Sequence, residues 1–425
     1  MDVSLQILLV VAVLILLAKA VGGLCHKFSM PPVLGELLAG VILGPTLLNI
    51  WKFPWLAGSQ AVAGNHAISL PAAVHVLAQI GVVVLMFLAG LETDTKLMKA
   101  TAAPAFWAAA GGVVLPLAGG AALVHELGFG WAESVFIGTV LTATSVSITA
   151  QTLMNMNRLR SKAGTTILGA AVIDDVLGLI VLSLVIAVEF QRAPNAASMW
   201  SGTGWVAARV VIFGVLTFLF GPRLIRWAFR YARHFQGPHI SVAVGLGIAF
   251  IFAFAAEAGG GMAAITGSYL AGLFMAASPA RDEIVGDVRS MANAFFGPLF
   301  FCSVGLEMNG RNLGGQLNLF LVVMAIAVVG KVAGCGGAAL AQGFSRRDSL
   351  VVGVGMIPRG EVGLITASIG WTAGVIGGDV YSVMVIVVLA TTLISPVLLR
   401  FSLPADDRGE LVESATVAAN VAEGS

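Results

Sequence analysis

Charge is what this chain has least of. Lys, Arg, Asp and Glu together make up only 11% of its 425 residues. A soluble globular domain carries about 25%, so a water-solvated fold is excluded. The net charge is +1, which gives no bulk attraction to nucleic acid, and no nucleic-acid partner is expected. Cysteine is nearly absent. Cys25, Cys302 and Cys335 lie in or beside apolar stretches, at spacings that suit neither a zinc site nor a disulfide framework. They read as small buried hydrophobes. The six histidines form no pair at metal-ligand spacing near the acidic residues, so neither metal catalysis nor a resident metal or cofactor is expected. What is abundant is apolar sequence, 58% of residues, and glycine, 52 in all. That combination belongs to helices packed closely in a lipid bilayer.

About 20 apolar residues are needed to span a bilayer, and about thirteen segments qualify. They lie near 3–25, 31–50, 71–91, 103–124, 131–154, 164–189, 204–227, 238–257, 262–278, 290–307, 317–342, 349–371 and 379–400. The first has neither a basic leader nor a small-residue cleavage site, so it reads as a span and not as a signal peptide. Residues 401–425 form a short polar tail without a soluble regulatory domain, and its composition predicts disorder. With the N-terminus outside, the outer loops hold Lys52, Arg192 and Arg311. Four more basic residues, Lys19, Arg209, Lys331 and Arg359, lie inside spans, and the remaining sixteen of 23 fall on the inner side. The positive-inside rule therefore predicts N-out, C-in, multi-pass insertion in the cell membrane and an odd number of spans. Lys19 and Arg209 sit near span ends, where they can snorkel; Lys331 and Arg359 lie too deep for that.

The chain resembles itself at an offset of 215 residues. Gly90-Leu91-Glu92 recurs as Gly305-Leu306-Glu307, Val113–Leu123 falls on Val328–Leu340 after a two-residue slip, and Val140–Ser147 falls on Gly355–Val362. Gly90 and Gly305 end segments seven spans apart. Seven is odd, so the repeats are inverted, a signature of transporter architecture. The third pair is the informative one. Thr142, Thr144, Ser145 and Ser147 crowd the first member, and hydroxyls compete for helix hydrogen bonds. Pro358 and Gly360 interrupt the second, where proline removes a helix bond and clashes with the preceding turn. Either stretch alone could be packing glue or a kink. At repeat-equivalent positions they predict two discontinuous helices at mid-membrane, the best sequence pointer to a transport site.

Charged groups at membrane depth converge there. Asp174 and Asp175 interrupt an apolar run, and each such charge costs roughly 2.5–3.5 kcal/mol on insertion scales. Neighbours on a helix diverge by about 100°, so the two cannot face the same way. One can face an ion pathway while the other takes a partner, for which Lys331, a third of the way into its own span, is the natural candidate. Arg359 and Glu361 add a second charged pair beside Pro358. A purely structural salt bridge would explain one aspartate and leave the other unexplained.

These motifs carry a resemblance. Pro32–Pro45 (PVLGELLAGVILGP), Leu88–Asp94 (LAGLETD), Thr142–Ser147, Ala171–Val176 (AVIDDV), Phe301–Asn309 (FCSVGLEMN), Lys331 and Met356–Leu364 (MIPRGEVGL) resemble the bacterial members of the monovalent cation:proton antiporter-2 family, over roughly residues 5–400. The resemblance implies a homodimer in the lipid bilayer. Each protomer would have a mobile core near 103–189 and 317–400, dimerisation or panel helices near 31–91 and 238–307, and two broken helices crossing beside the aspartates. It implies Asp175 as the carrier of transported Na+ or H+, Asp174 as the partner of Lys331, Thr144 and Ser145 as sources of cation-coordinating oxygen, and Arg359 and Glu361 as charge compensation. Potassium-efflux relatives carry Gln-Asp and a nucleotide-binding domain; the Asp-Asp pair here favours Na+, with Li+ and K+ as alternatives. A sodium-coupled organic anion symporter would want a wider polar cavity with more Asn and Gln. An intramembrane aspartyl protease would need carboxylates facing each other from two elements, so no enzyme is expected.

Overall fold

A computed structural model describes residues 3–28, 30–53, 56, 60–63, 66–189, 196–232, 234, 239–278, 280–307 and 316–403. The expectations for Arg192, Arg311 and residues 404–425 of the tail lie outside the described residues. In chain order come α1 (Val3–Lys27), α2 (Pro32–Leu43), β1 (Gln60–Ala63), β2 (His66–Ser69), α3 (Leu70–Glu92), α4 (Thr95–Ala100), α5 (Ala102–Glu126), α6 (Trp131–Val140), α7 (Val146–Asn155), α8 (Lys162–Glu189) and α9 (Ala196–Ala232). The second half holds α10 (Ile240–Phe254), α11 (Ala264–Ala276), α12 (Ala280–Met291), α13 (Gly297–Glu307), α14 (Leu317–Ala325), α15 (Gly337–Ala341), α16 (Arg346–Gly355), α17 (Glu361–Thr372) and α18 (Gly378–Ser402). π-helical turns at Ala255–Gly260, Ala292–Phe296, Ile326–Gly330 and Val332–Gly336 keep α10, α12–α13 and α14–α15 running on as continuous helices.

Among the described residues, eight helices are long and apolar enough to cross a membrane by themselves, fewer than the thirteen segments read from hydropathy. The difference has a local cause. Segments 131–154 and 349–371 are split into α6/α7 and α16/α17, α2 and α11 are short, with 12 and 13 residues, and segment 290–307 is divided among the end of α12, a π turn and the 11-residue α13. The antiparallel hairpin, registered with Gln60 opposite Ser69 and Ala63 opposite His66, was not expected. Its strands are four residues each, too short for a convincing alternation.

Packing separates two groups of helices. α2 lies on α1 and α13, α13 on α3, and α3 on α11, which also meets α10. In the other group α5 lies on α6, α8 and the 332–336 turn, while α16 and α17 pack on α18. Glycine permits the closest approach in the first group. A Cβ on Gly272 would lie 2.2 Å from the Phe87 carbonyl, and one on Gly90 would lie 2.3 Å from that of Tyr269. The α3 and α11 backbones therefore touch, as small-residue interfaces allow in lipid. Lys19 and Arg209 do more than snorkel. Lys19 Nζ lies 2.9 Å from Glu36 Oε1, and Arg209 donates to the carbonyls of Ala258 (2.7 Å) and Gly259 (2.9 Å) in the π turn that ends α10.

Candidate ion-binding site

The site is built where two helices break. α6 ends at Val140 and α7 begins at Val146; α16 ends at Gly355 and α17 begins at Glu361. The extended backbones between them cross and satisfy each other. Ser145 N–H donates to the Pro358 carbonyl at 2.7 Å, and the Thr149 hydroxyl donates to the Gly355 carbonyl at 2.6 Å. The hydroxyl-rich first break and the proline-containing second break thus become one unit, whose backbone polar groups are paired within the protein instead of meeting lipid.

Broken helices leave partly negative carbonyl ends, and Arg359 meets them. Its guanidinium, fully buried, donates to the carbonyls of Leu141 and Ile357, just past the ends of α6 and α16, and to that of Ala327. The Thr392 hydroxyl in turn donates to the Arg359 carbonyl. Sequence marked Arg359 as charge compensation without showing that carbonyl oxygens are what it compensates. The side chain of Glu361 lies outside the described residues.

Asp174 and Asp175 diverge around α8. Lys331 Nζ lies 3.2 Å and 3.3 Å from the two carboxylate oxygens of Asp174. That ammonium projects from between two π turns, a distortion frequent at functional sites. Asp175 turns the other way and accepts a 2.6 Å hydrogen bond from the Thr266 hydroxyl on α11. Thr266 was missed in the sequence, where one hydroxyl in a helix of small residues gives no signal.

A cavity of about 80 Å³ touches both aspartates. One water needs only about 10–15 Å³ by the same measure, so it admits several waters or a monovalent cation keeping part of its hydration. Its oxygen-bearing walls are Thr139, Thr142, Thr144, Asp174, Asp175 and Thr366, a hard-oxygen set suited to a small cation. Thr144 lines it. Ser145 is not among its lining residues; its hydroxyl sits 3.2 Å from that of Ser147. On the opposite side of Asp175 the space shrinks to about 10 Å³ among Val146, Leu168, Val172, Ile265, Thr266 and Tyr269. Among the described residues no group of three or more His, Cys, Asp and Glu is placed to hold a metal ion.

Comparison with known proteins places the chain in a family. The family model described as "Sodium/hydrogen exchanger, transmembrane" matches residues 10–403. The Na(+)/H(+)-K(+) antiporter GerN of Bacillus cereus is 33% identical, over 94% of this chain and 96% of its own. A Na(+)/H(+) antiporter of Enterococcus hirae is 32% identical, over 91% and 96%. The solved structure of the sodium proton antiporter MjNhaP1 from Methanocaldococcus jannaschii superposes with a TM-score of 0.64 at 14% identity, covering 93% of this chain and 96% of that one. That likeness establishes the shared fold.

Proposed function

Because the chain belongs to the sodium/hydrogen exchanger family, we propose that it exchanges Na+ for H+ across the cell membrane by alternating access, with Asp175 as the carrier. The observation that carries this reading is the division of labour in the aspartate pair: both line the cavity, but Asp174 is held by the Lys331 ammonium, while Asp175 accepts from the neutral Thr266 hydroxyl. One carboxylate that takes either a cation or a proton makes the two substrates compete, and competition is what converts a binding site into an exchanger. An uncompensated carboxylate crosses the low-dielectric region poorly, so the loaded forms move.

The proposed architecture is thirteen spans in inverted repeats. The helices near 103–189 and 317–400 form a mobile core, those near 31–91 and 238–307 form the dimerising scaffold, and the N-terminus lies outside. With that orientation the 80 Å³ cavity opens outward along α6, α17 and the second half of α8, and the Tyr269 side is the closed inner gate. The small cavity also argues against an organic anion as cargo. Thr144 supplies a cation-coordinating hydroxyl, Ser145 contributes through its backbone at the crossing, and Arg359 and Glu361 set the charge balance. Exchange is electrogenic if Lys331 releases a second proton for each Na+.

The test is Asp175→Asn in everted vesicles or proteoliposomes, with Na+, Li+ and K+ supplied in turn. Loss of cation-driven proton movement is expected, and its retention would remove Asp175 from the mechanism. K+ driving exchange better than Na+ in the unaltered protein would make it a K+/H+ antiporter.

A further inference from the structure

The Thr266–Asp175 hydrogen bond joins the two packing groups at the carrier itself. Thr266 belongs to α11, fixed by its backbone-to-backbone contact with α3 and by Gly267, where a Cβ would lie 2.1 Å from the Phe252 carbonyl on α10. Asp175 belongs to α8, which packs on α5, α6, α7, α9 and α16, with α11 not among its extensive neighbours. A 2.6 Å hydroxyl-to-carboxylate bond between a helix of one group and a helix of the other is therefore a mechanical tie between scaffold and core. It is attached to the group whose occupancy changes in each cycle. Thr266 is itself buried and lies on the closed side of the carboxylate, among the residues of the 10 Å³ gap.

We propose that Thr266 is an occupancy-sensing latch: its hydroxyl holds the Asp175 carboxylate to α11 until a monovalent cation takes that oxygen or a proton neutralises it, and weakening of the bond then frees the core to move. The inference rests on Asp175 being the carrier and on α8 moving against α11. It supplies what a competitive site alone does not, a reason why the unloaded carrier stays put. An exchanger whose empty form crossed freely would let protons run down their gradient without returning a cation. Thr266 acts here as a positioning residue.

The experiment uses the full chain in proteoliposomes, comparing Thr266→Val, Thr266→Ser and Asp175→Asn. Valine keeps the shape and removes the donor; serine keeps the donor. Thr266→Val is expected to lower the KM for Na+ several-fold, because a competitor for the oxygen is gone. It should also raise Na+-free proton flux after a pH jump several-fold. Thr266→Ser should match the unaltered protein in both, showing that the hydroxyl and not the site's packing is responsible. An unchanged or raised KM, or no gain in Na+-free flux, would overturn the latch; so would a fall in kcat alone, the mark of a structural residue. Asp175→Asn in the same assay reports separately: exchange that survives it removes the carrier assignment beneath the inference.

Discussion

Lys331 and Asp174 meet in the interior of the protein: Nζ lies 3.2 Å from Oδ1, with the two side chains 0% and 2% exposed. Breaking such a pair strands a charge, which costs about 3–5 kcal/mol, whereas replacing both members by apolar groups of similar volume is often neutral. Lys331→Ala should therefore lower the unfolding midpoint in detergent strongly, and Lys331→Met combined with Asp174→Leu should recover most of the loss. A double variant no more stable than the single one would show that the pair does not behave as a unit.

The crossing of the broken helices depends on a missing side chain. A Cβ on Gly360 would lie 2.6 Å from Ser145 Oγ and 2.9 Å from Ser145 Cβ. Gly360→Ala should push the two breaks apart and cut transport. Ser145 makes no side-chain cap to α7, so Ser145→Gly should be mild, and the double variant should regain activity. Neighbouring residues of this kind couple by about 0.5–3 kcal/mol, which a double-mutant cycle on unfolding midpoints would read.

Competition at one carboxylate fixes the direction of the pH response. Lowering pH should raise the apparent KM for Na+, by up to about tenfold for each pH unit where one proton displaces one cation, while saturating Na+ restores the rate. A KM independent of pH would point to separate sites. An imposed potential should change the rate if the cycle moves net charge, since about 2.3 kcal/mol acts per elementary charge per 100 mV.

Outside the spans, Asp94 caps α4. It accepts the backbone N–H groups of Leu97 and Lys96, which hold its carboxyl below the usual value. A folded-state value depressed below the unfolded one stabilises above the unfolded pKa, and that stability is lost as pH falls through the folded value. Asp94→Asn keeps an acceptor but not the charge, so the acid-side fall in unfolding midpoint should flatten in that variant.

Much of the site was legible because membrane burial makes charge and broken helix conspicuous. Asp174, Asp175, Lys331 and Arg359 stood out as ions in apolar runs, and the two breaks fell where hydroxyls and proline crowded repeat-equivalent positions. The divergence of the aspartates followed from helical pitch alone. What stayed hidden depended on contacts across the molecule. Thr266 is one hydroxyl among small residues, the partners of Arg359 are backbone oxygens without side-chain signatures, and the turn of the Ser145 hydroxyl toward Ser147 is set by the close approach of Gly360.

The π turns on either side of Lys331 also explain an oddity in the repeat. Val113 aligns with Val328 at an offset of 215, but Gly119 aligns with Gly336 at 217. Each π turn closes its hydrogen bond one residue later than an α turn, and the two turns, 326–330 and 332–336, lie across the slip. The offset thus grows by two where the helix carries two π turns, each of which takes up one residue more than an α turn. Between the two turns stands the Lys331 ammonium. Deleting either surplus residue would turn the flanking segments by about 100° relative to each other and swing Lys331 off Asp174. At this position a change in chain length should be less tolerated than a change of side chain.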